Sequence, residues 1–205
     1  DSQTIVVNQT HYQAKSFIIA VGSTPNMNKK YQDELGDRYI TSDQIFELET
    51  LPQSLAVIGS GVIALELAQA MQRLNVKTTV FARSKKVGSL TSSYLQTLAQ
   101  QELSKELNFK FEILPTSIQA DNNKVAITFN EHGQEQSIEV DYLLSATGRS
   151  SHLDTLHLEQ IESTFKDLKQ LPVNMQTKQL GKYPIFIIGD AYTTTPIQHE
   201  AAHEG

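Results

Sequence analysis

The 205-residue chain contains no cysteine. This removes disulfide scaffolding and thiolate chemistry from these residues and fits an intracellular protein, so a cytoplasmic location is expected. A basic excess is missing as well. Lys and Arg number 17 against 23 Asp and Glu, and the net charge of −6 leaves no electrostatic footprint for nucleic acid. No apolar run approaches the length of a membrane-spanning helix, and the opening DSQTIVVNQT lacks the basic and then apolar stretches of a signal peptide. Neither nucleic acid nor a membrane is expected as a partner. The first residue is not methionine, TIVVN reads as a strand already under way, and the end at Gly205 is abrupt, so a piece of a longer chain is expected.

What the chain does have is an ordinary globular balance, 39% hydrophobic and 20% charged, over a length that buries roughly 70% of its unfolded surface. After TIVVN comes SFIIAVG, a nearly continuous apolar run of the kind that suits a strand covered on both faces. Thr41, Ser42 and Asp43 offer caps for a short helix through QIFEL, with Gln44 placed as a capping box requires. From Ser54 the pattern is strand (SLAVIG), glycine turn, helix (residues 62–74), strand (KTTVFAR), helix (about residues 92–106) and strand (FKFEIL). This is β-α-β-α-β, which the right-handed crossover rule turns into a parallel sheet with helices on its faces. SIQAD, KVAITFN and QSIEVD then read as a three-stranded antiparallel meander, and YLLSATG as a further parallel strand. Residues 149–182 are weakly patterned, with Leu153, Leu156 and Leu158 marking a turn of helix. A last strand, PIFIIGD, leads into a helical HEAAHEG segment.

GSGVIA, running from Gly59 through Ser60, Gly61, Val62 and Ile63 to Ala64, is a GxGxxA turn that follows a strand and opens a helix, the context of a Rossmann-like dinucleotide site. Gly59 permits the tight turn, and Gly61 leaves room for a pyrophosphate at the helix amino terminus. Ala64 is small enough for helix to lie against strand. An NAD site normally carries a carboxylate at the end of the second strand to bind the ribose 2′-hydroxyl. Here that neighbourhood holds Ala82, Arg83, Ser84, Lys85 and Lys86. The cations suit a 2′-phosphate and so NADPH, with a solvated basic loop tolerating either NAD or NADP as the alternative.

Six ordered pieces, FIIAVGSTP, LPQSLAVIGSGVIALELAQAMQRLNVKTTVFARS, YLLSATGRSSH, LPVNMQTKQ, FIIGDA and TPIQHEAAHEG, resemble the FAD-dependent pyridine-nucleotide disulfide oxidoreductases. Within that family the likeness is greatest to dihydrolipoamide dehydrogenase. ALELAQA and ARS are also similar to mercuric reductase, and arginine at position 83 is similar to glutathione reductase. The resemblance implies an α/β fold of three parts: residues 1–50 in an FAD-binding domain, residues 51–150 as an inserted NAD(P)-binding domain, and residues 151–205 returning to the FAD domain. It implies that Glu66 lies near the nicotinamide, Ile118 beside the adenosine, and Ala146 and Gly148 in the loop over the nucleotide. It places Gly22, Gly189 and Asp190 at FAD, with the aspartate on the ribityl chain, and Gln198 and His199 in the turn that follows. It further implies hydride transfer between nicotinamide and FAD, coupled to a dithiol. A lipoyl-bearing carrier protein and a homodimer of the full-length parent are the implied partners. The FAD-gripping GxGxxG, the redox cysteine pair and the catalytic base of the family are not among these residues, so no catalytic residue is expected in this chain.

His199, Glu200 and His203 spell HExxH, which on a helix presents two imidazoles to zinc. In the family that this chain resembles, the segment is a helix beginning beside flavin, and its EG ending recurs there. The spacing is therefore expected to be coincidental and no metal is expected. A zinc hydrolase and a nucleotide-binding module without catalysis are the readings from other classes.

Overall fold

The computed structural model describes residues 3–192 and 201–203. Its contacts divide the chain into two compact units, one formed by Pro25–Gly148 and the other by Asp1–Thr24 with Arg149–Gly205. Residues 25–50 group by their contacts with the unit that carries the glycine turn. The physical reason is a short strand, Tyr39–Thr41, fully buried and hydrogen-bonded into the same sheet as the glycine turn.

In chain order the strands and helices are β1 (Thr4–Val7), β2 (Thr10–Gln13), β3 (Phe17–Ile19), β4 (Ser23–Pro25), α1 (Lys29–Leu35), β5 (Tyr39–Thr41), β6 (Ser54–Ile58), α2 (Val62–Arg73), β7 (Lys77–Ala82), α3 (Ser93–Leu103) and β8 (Asn108–Phe111). They continue with β9 (Pro115–Asp121), β10 (Lys124–Glu131), β11 (Gln134–Val140), β12 (Tyr142–Ser145), β13 (Arg149–Ser151) and β14 (Ile185–Ile187). QIFEL forms a 3-10 turn at Gln44–Glu47, and the Gln44 side chain accepts from the Thr41 N–H at 3.0 Å, one half of the expected capping box.

In the first unit, β5-β12-β6-β7-β8 form a five-stranded sheet, parallel in every pairing. Strand period two sorts its side chains into two cores. Leu55, Val57, Val80 and Leu144 meet Ala64, Leu67, Ala68 and Met71 of α2. Ala56, Phe81 and Leu143 on the other face meet Ile118, Val125, Ile127 and Phe129 of the antiparallel meander β9-β10-β11. Phe81 and Phe129 cross edge to face with centroids 5.2 Å apart. Burying Leu67 and Met71 of α2 contributes roughly 1.5–3 kcal/mol each.

Asp141 closes the amino-terminal end of this sheet. Its carboxylate accepts from the N–H of Gln53 at 2.8 Å and of Ser54 at 2.9 Å, and its main-chain oxygen accepts from Arg38 Nη1 at 3.0 Å. Burial pushes the carboxyl upward. The main-chain donors of Ser54 and Gln53, with Lys124 and the Ser54 hydroxyl, outweigh that and hold it below the usual carboxylate range. At the other end of the unit the chain enters and leaves side by side, where the Asn26 N–H donates to Gly148 O at 2.9 Å and Ser145 Oγ donates to Asn26 O at 2.6 Å.

In the second unit, β3 pairs in parallel with β14, and β4 pairs with β13. Phe17 and Ile19 pack on a core of Leu153, Leu158, Phe165, Leu171, Leu180, Ile185 and Ile187. Ile18, pointing the opposite way, is 67% exposed, so the apolar run SFIIAVG is covered on one face rather than two among the described residues. The weakly patterned stretch after β13 folds as successive 3-10 turns, among them His152–Leu156 and Leu158–Gln160.

Candidate functional site

Two sets of site residues assemble, one in each unit. The first is the turn between β6 and α2. The Gly59 N–H donates to Phe81 O at 3.0 Å, and the Ala146 N–H donates to Ile58 O at 2.9 Å, so the turn and the end of β12 are fixed to one another. Gly59 has φ +128, and a Cβ on it would lie 2.1 Å from the carbonyl oxygen of Ala146. Only glycine fits there. Gly61 is different: its φ is an ordinary −73, and a Cβ on it would meet nothing within 4 Å. The space over Gly61 is open.

Gly61 is also the N-cap of α2, and among the described residues no side-chain cap bond closes that end. The first N–H groups of a helix have no intrahelical acceptor and carry partial positive charge, which favours an anion over this open space. Val62 and Ile63 are half-buried in the first turn, and Ala64 is fully buried, its methyl against the sheet. Glu66 is exposed one turn further on.

The loop after β7 is held beside this turn. Ser60 Oγ donates to Lys86 O at 2.7 Å, and the Gly88 N–H donates to Ser60 O at 2.7 Å. Gln96 of α3 clamps the same loop, accepting from the Val87 N–H at 2.9 Å and donating to the carbonyls of Val87 and Leu90. Arg83 is exposed and Ser84 half-buried at the end of the strand, where Ser84 Oγ accepts from the Lys86 N–H at 3.3 Å. Lys85 faces Glu112 at 3.5 Å, an exposed pair.

Ala146 and Gly148 stand in the loop after β12, half-buried and exposed respectively. Ile118 lies elsewhere. It is 4% exposed inside the core beneath the meander, so its side chain is engaged in packing rather than offered to a ligand. Alternation along β9 turns the Ile118 side chain inward, onto Ile127.

The second set gathers at the carboxyl ends of β3 and β14. Gly22 has φ +67, with the His152 N–H donating to its carbonyl at 3.1 Å. Gly189 and Asp190 form a 3-10 turn with Ala191, pinned on one side by the Ile188 N–H on Ile19 O at 3.0 Å and on the other by Ser151 Oγ on Ala191 O at 2.6 Å. Asp190 Oδ2 accepts from Ser23 Oγ at 3.1 Å. Asp190 Oδ1 is buried with no hydrogen-bond partner among the described residues. A buried acceptor left without a donor costs about 1–3 kcal/mol, which a ligand hydroxyl at this atom would remove. The atom therefore fits a polyhydroxyl chain such as the ribityl of FAD. Sequence reasoning singled out Asp190 but not Ser23 or Arg149, whose side chains meet it across the chain; the signal lay in GSTP and TGRSS, and their pairing appears only in three dimensions.

Gln198, His199 and Glu200 lie outside the described residues. His203 is exposed, and among the described residues no group of three or more His, Cys, Asp or Glu side chains is disposed to hold a metal ion. Among the described residues no helix is long and apolar enough to cross a membrane.

Over residues 1–205 the chain matches the family model described as pyridine nucleotide-disulphide oxidoreductase. It is 32% identical over 206 residues to mercuric reductase of Staphylococcus aureus, covering 100% of this chain and 37% of that relative. It is 30% identical over 194 residues to dihydrolipoyl dehydrogenase of the same organism, covering 94% of this chain and 41% of the relative. The solved structure of LpdA from Mycobacterium tuberculosis superposes with a TM-score of 0.75 at 19% identity, over 98% of this chain and 44% of that one. The flavoprotein disulfide reductase RclA from Escherichia coli gives 0.73 at 16% identity, over 98% and 45%. The chain spans about two fifths of the length of the curated relatives that it matches. These structures share its fold, a parallel α/β sheet bearing a Rossmann-type turn, and their family uses both FAD and a pyridine nucleotide. With a glycine turn that leaves a helix end open, a buried aspartate oxygen that fits a polyhydroxyl chain, and a family match over all 205 residues, the chain belongs to the pyridine nucleotide-disulphide oxidoreductases.

Proposed function

We propose that the chain supplies the NAD(P)-binding domain, and part of the FAD-binding domain, of a flavin-dependent disulfide oxidoreductase like dihydrolipoamide dehydrogenase. The observation that carries this reading is the pair of glycines. Gly59 is locked against Ala146, and Gly61 leaves an uncapped helix end open to a pyrophosphate. Flavin, when bound, supplies the two-electron relay between nicotinamide and dithiol. The residues of this chain bind and orient. The turn at Gly59, Ser60 and Gly61 holds the pyrophosphate, Glu66 helps to place the nicotinamide, and Asp190 accepts a ribityl hydroxyl. A lipoyl-bearing carrier protein, a homodimer and a cytoplasmic setting belong to the same reading, by analogy with dihydrolipoyl dehydrogenase.

A second reading, an NADPH-using enzyme of the mercuric or glutathione reductase kind, is favoured by one observation. The loop clamped by Ser60 and Gln96 presents Arg83 and Lys86, and Lys85 of the same loop faces Glu112. A guanidinium makes a charge-assisted, bidentate pair with a 2′-phosphate and only a single weaker hydrogen bond to a 2′-hydroxyl. Calorimetric titration with NADPH and NADH, repeated on Arg83→Ala, separates the two. Tighter NADPH binding, lost by roughly tenfold or more in the variant, supports the second reading. Equal or NADH-favoured binding supports the first, and binding of neither nucleotide refutes both.

A further inference from the structure

We infer that Ser23 and Arg149 are positioning residues for the flavin, acting only through Asp190; the inference rests on the reading of Asp190 as the ribityl acceptor. Arg149 Nε donates to Ser23 Oγ at 2.8 Å, and Arg149 Nη2 donates to Ser23 O at 2.9 Å. Arginine has no lone pair to offer, so these bonds run in one direction. With one lone pair of its oxygen taken by Nε–H, the Ser23 hydroxyl turns its single proton to Asp190 Oδ2, 3.1 Å away. The relay runs Arg149 to Ser23 to Asp190, across strands β4 and β13 and the turn after β14.

Two consequences follow from the distances. Rotation of a carboxylate about its last bond is soft, so a donor fixed on Oδ2 determines where Oδ1 is aimed. Oδ1 is the buried atom left without a donor. The serine also stands between two opposite charges, since Arg149 Nε lies 3.7 Å from Asp190 Oδ2, beyond hydrogen-bond reach. Without the hydroxyl, the guanidinium closes on the carboxylate as a direct fork, the arrangement that it prefers. The carboxylate then turns toward arginine and away from a ribityl hydroxyl. Gly22, at φ +67, sets the bend that brings Ser23 onto this line.

The test measures FAD dissociation from the full-length holoprotein by the fluorescence regained on release, for Asp190→Ala, Ser23→Ala, Ser23→Thr and the Ser23→Ala/Asp190→Ala double variant. Asp190→Ala and Ser23→Ala are each expected to weaken FAD retention by roughly tenfold, the scale of one charged hydrogen bond. Threonine, which keeps the hydroxyl, is expected to restore it. The double variant is expected to be no weaker than Asp190→Ala alone, because the serine has nothing left to position. The relay is overturned if Ser23→Ala holds FAD as the parent does while Asp190→Ala does not, if threonine fails to rescue, or if the double variant loses the product of the two single effects. FAD retention unchanged in Asp190→Ala overturns the ribityl reading itself and the relay with it.

Discussion

At the scale of single residues, the two glycines of one turn are expected to respond oppositely to the same added methyl. In Gly59→Ala the new carbon meets a main-chain oxygen that cannot retreat without breaking the Ala146 hydrogen bond, at a φ that an L side chain rarely adopts. A loss of about 3 kcal/mol or more is expected in denaturant unfolding. Gly61→Ala adds its methyl to open space at an ordinary φ, so stability should stay within about 0.5 kcal/mol of the parent. Yet that methyl fills the space proposed for a pyrophosphate, and nucleotide affinity measured by calorimetry should fall by roughly tenfold or more. Comparable stability losses in both variants would show that the turn serves packing alone. The turn was legible in the sequence because main-chain sterics admit only glycine at position 59 and helix-on-sheet packing wants a small side chain at position 64. The inward turn of the Ile118 side chain was not, since a likeness to a family says which residue stands at a position and not which way the pleat turns it.

At the scale of elements, the sheet is tied off by Asp141, whose carboxylate and main chain together engage Gln53, Ser54 and Arg38. Its carboxyl is held low when folded, so its contribution is fully present above the ordinary carboxylate pKa of about 4 and is lost as pH falls through the lower, folded value. Asp141→Asn is expected to cost about 1–3 kcal/mol at neutral pH and to flatten the decline of stability below about pH 4. Denaturant midpoints across that range check both. The β-α-β-α-β pattern and the meander could be read in advance because apolar spacing changes sharply from one period to the other. β5 could not: three residues, Tyr39–Thr41, carry no periodicity, and a long-range pairing with β12 gives them their place. The 3-10 turns after β13 escaped for a similar reason, their core residues being scattered singly from Leu153 to Leu180.

At the scale of the molecule, two of the three cores formed by the described residues lie wholly within residues 25–148, together with the glycine turn and the loop that it holds. That stretch expressed alone is expected to unfold in one cooperative step by circular dichroism and to retain nucleotide binding. A broad, denaturant-insensitive signal would show that its cores need the rest of the chain. The bond from Asn26 to Gly148 gives this expectation a wider meaning. A unit whose first and last residues touch can be lifted out, closed into a ring or set into another host without stretching its own backbone.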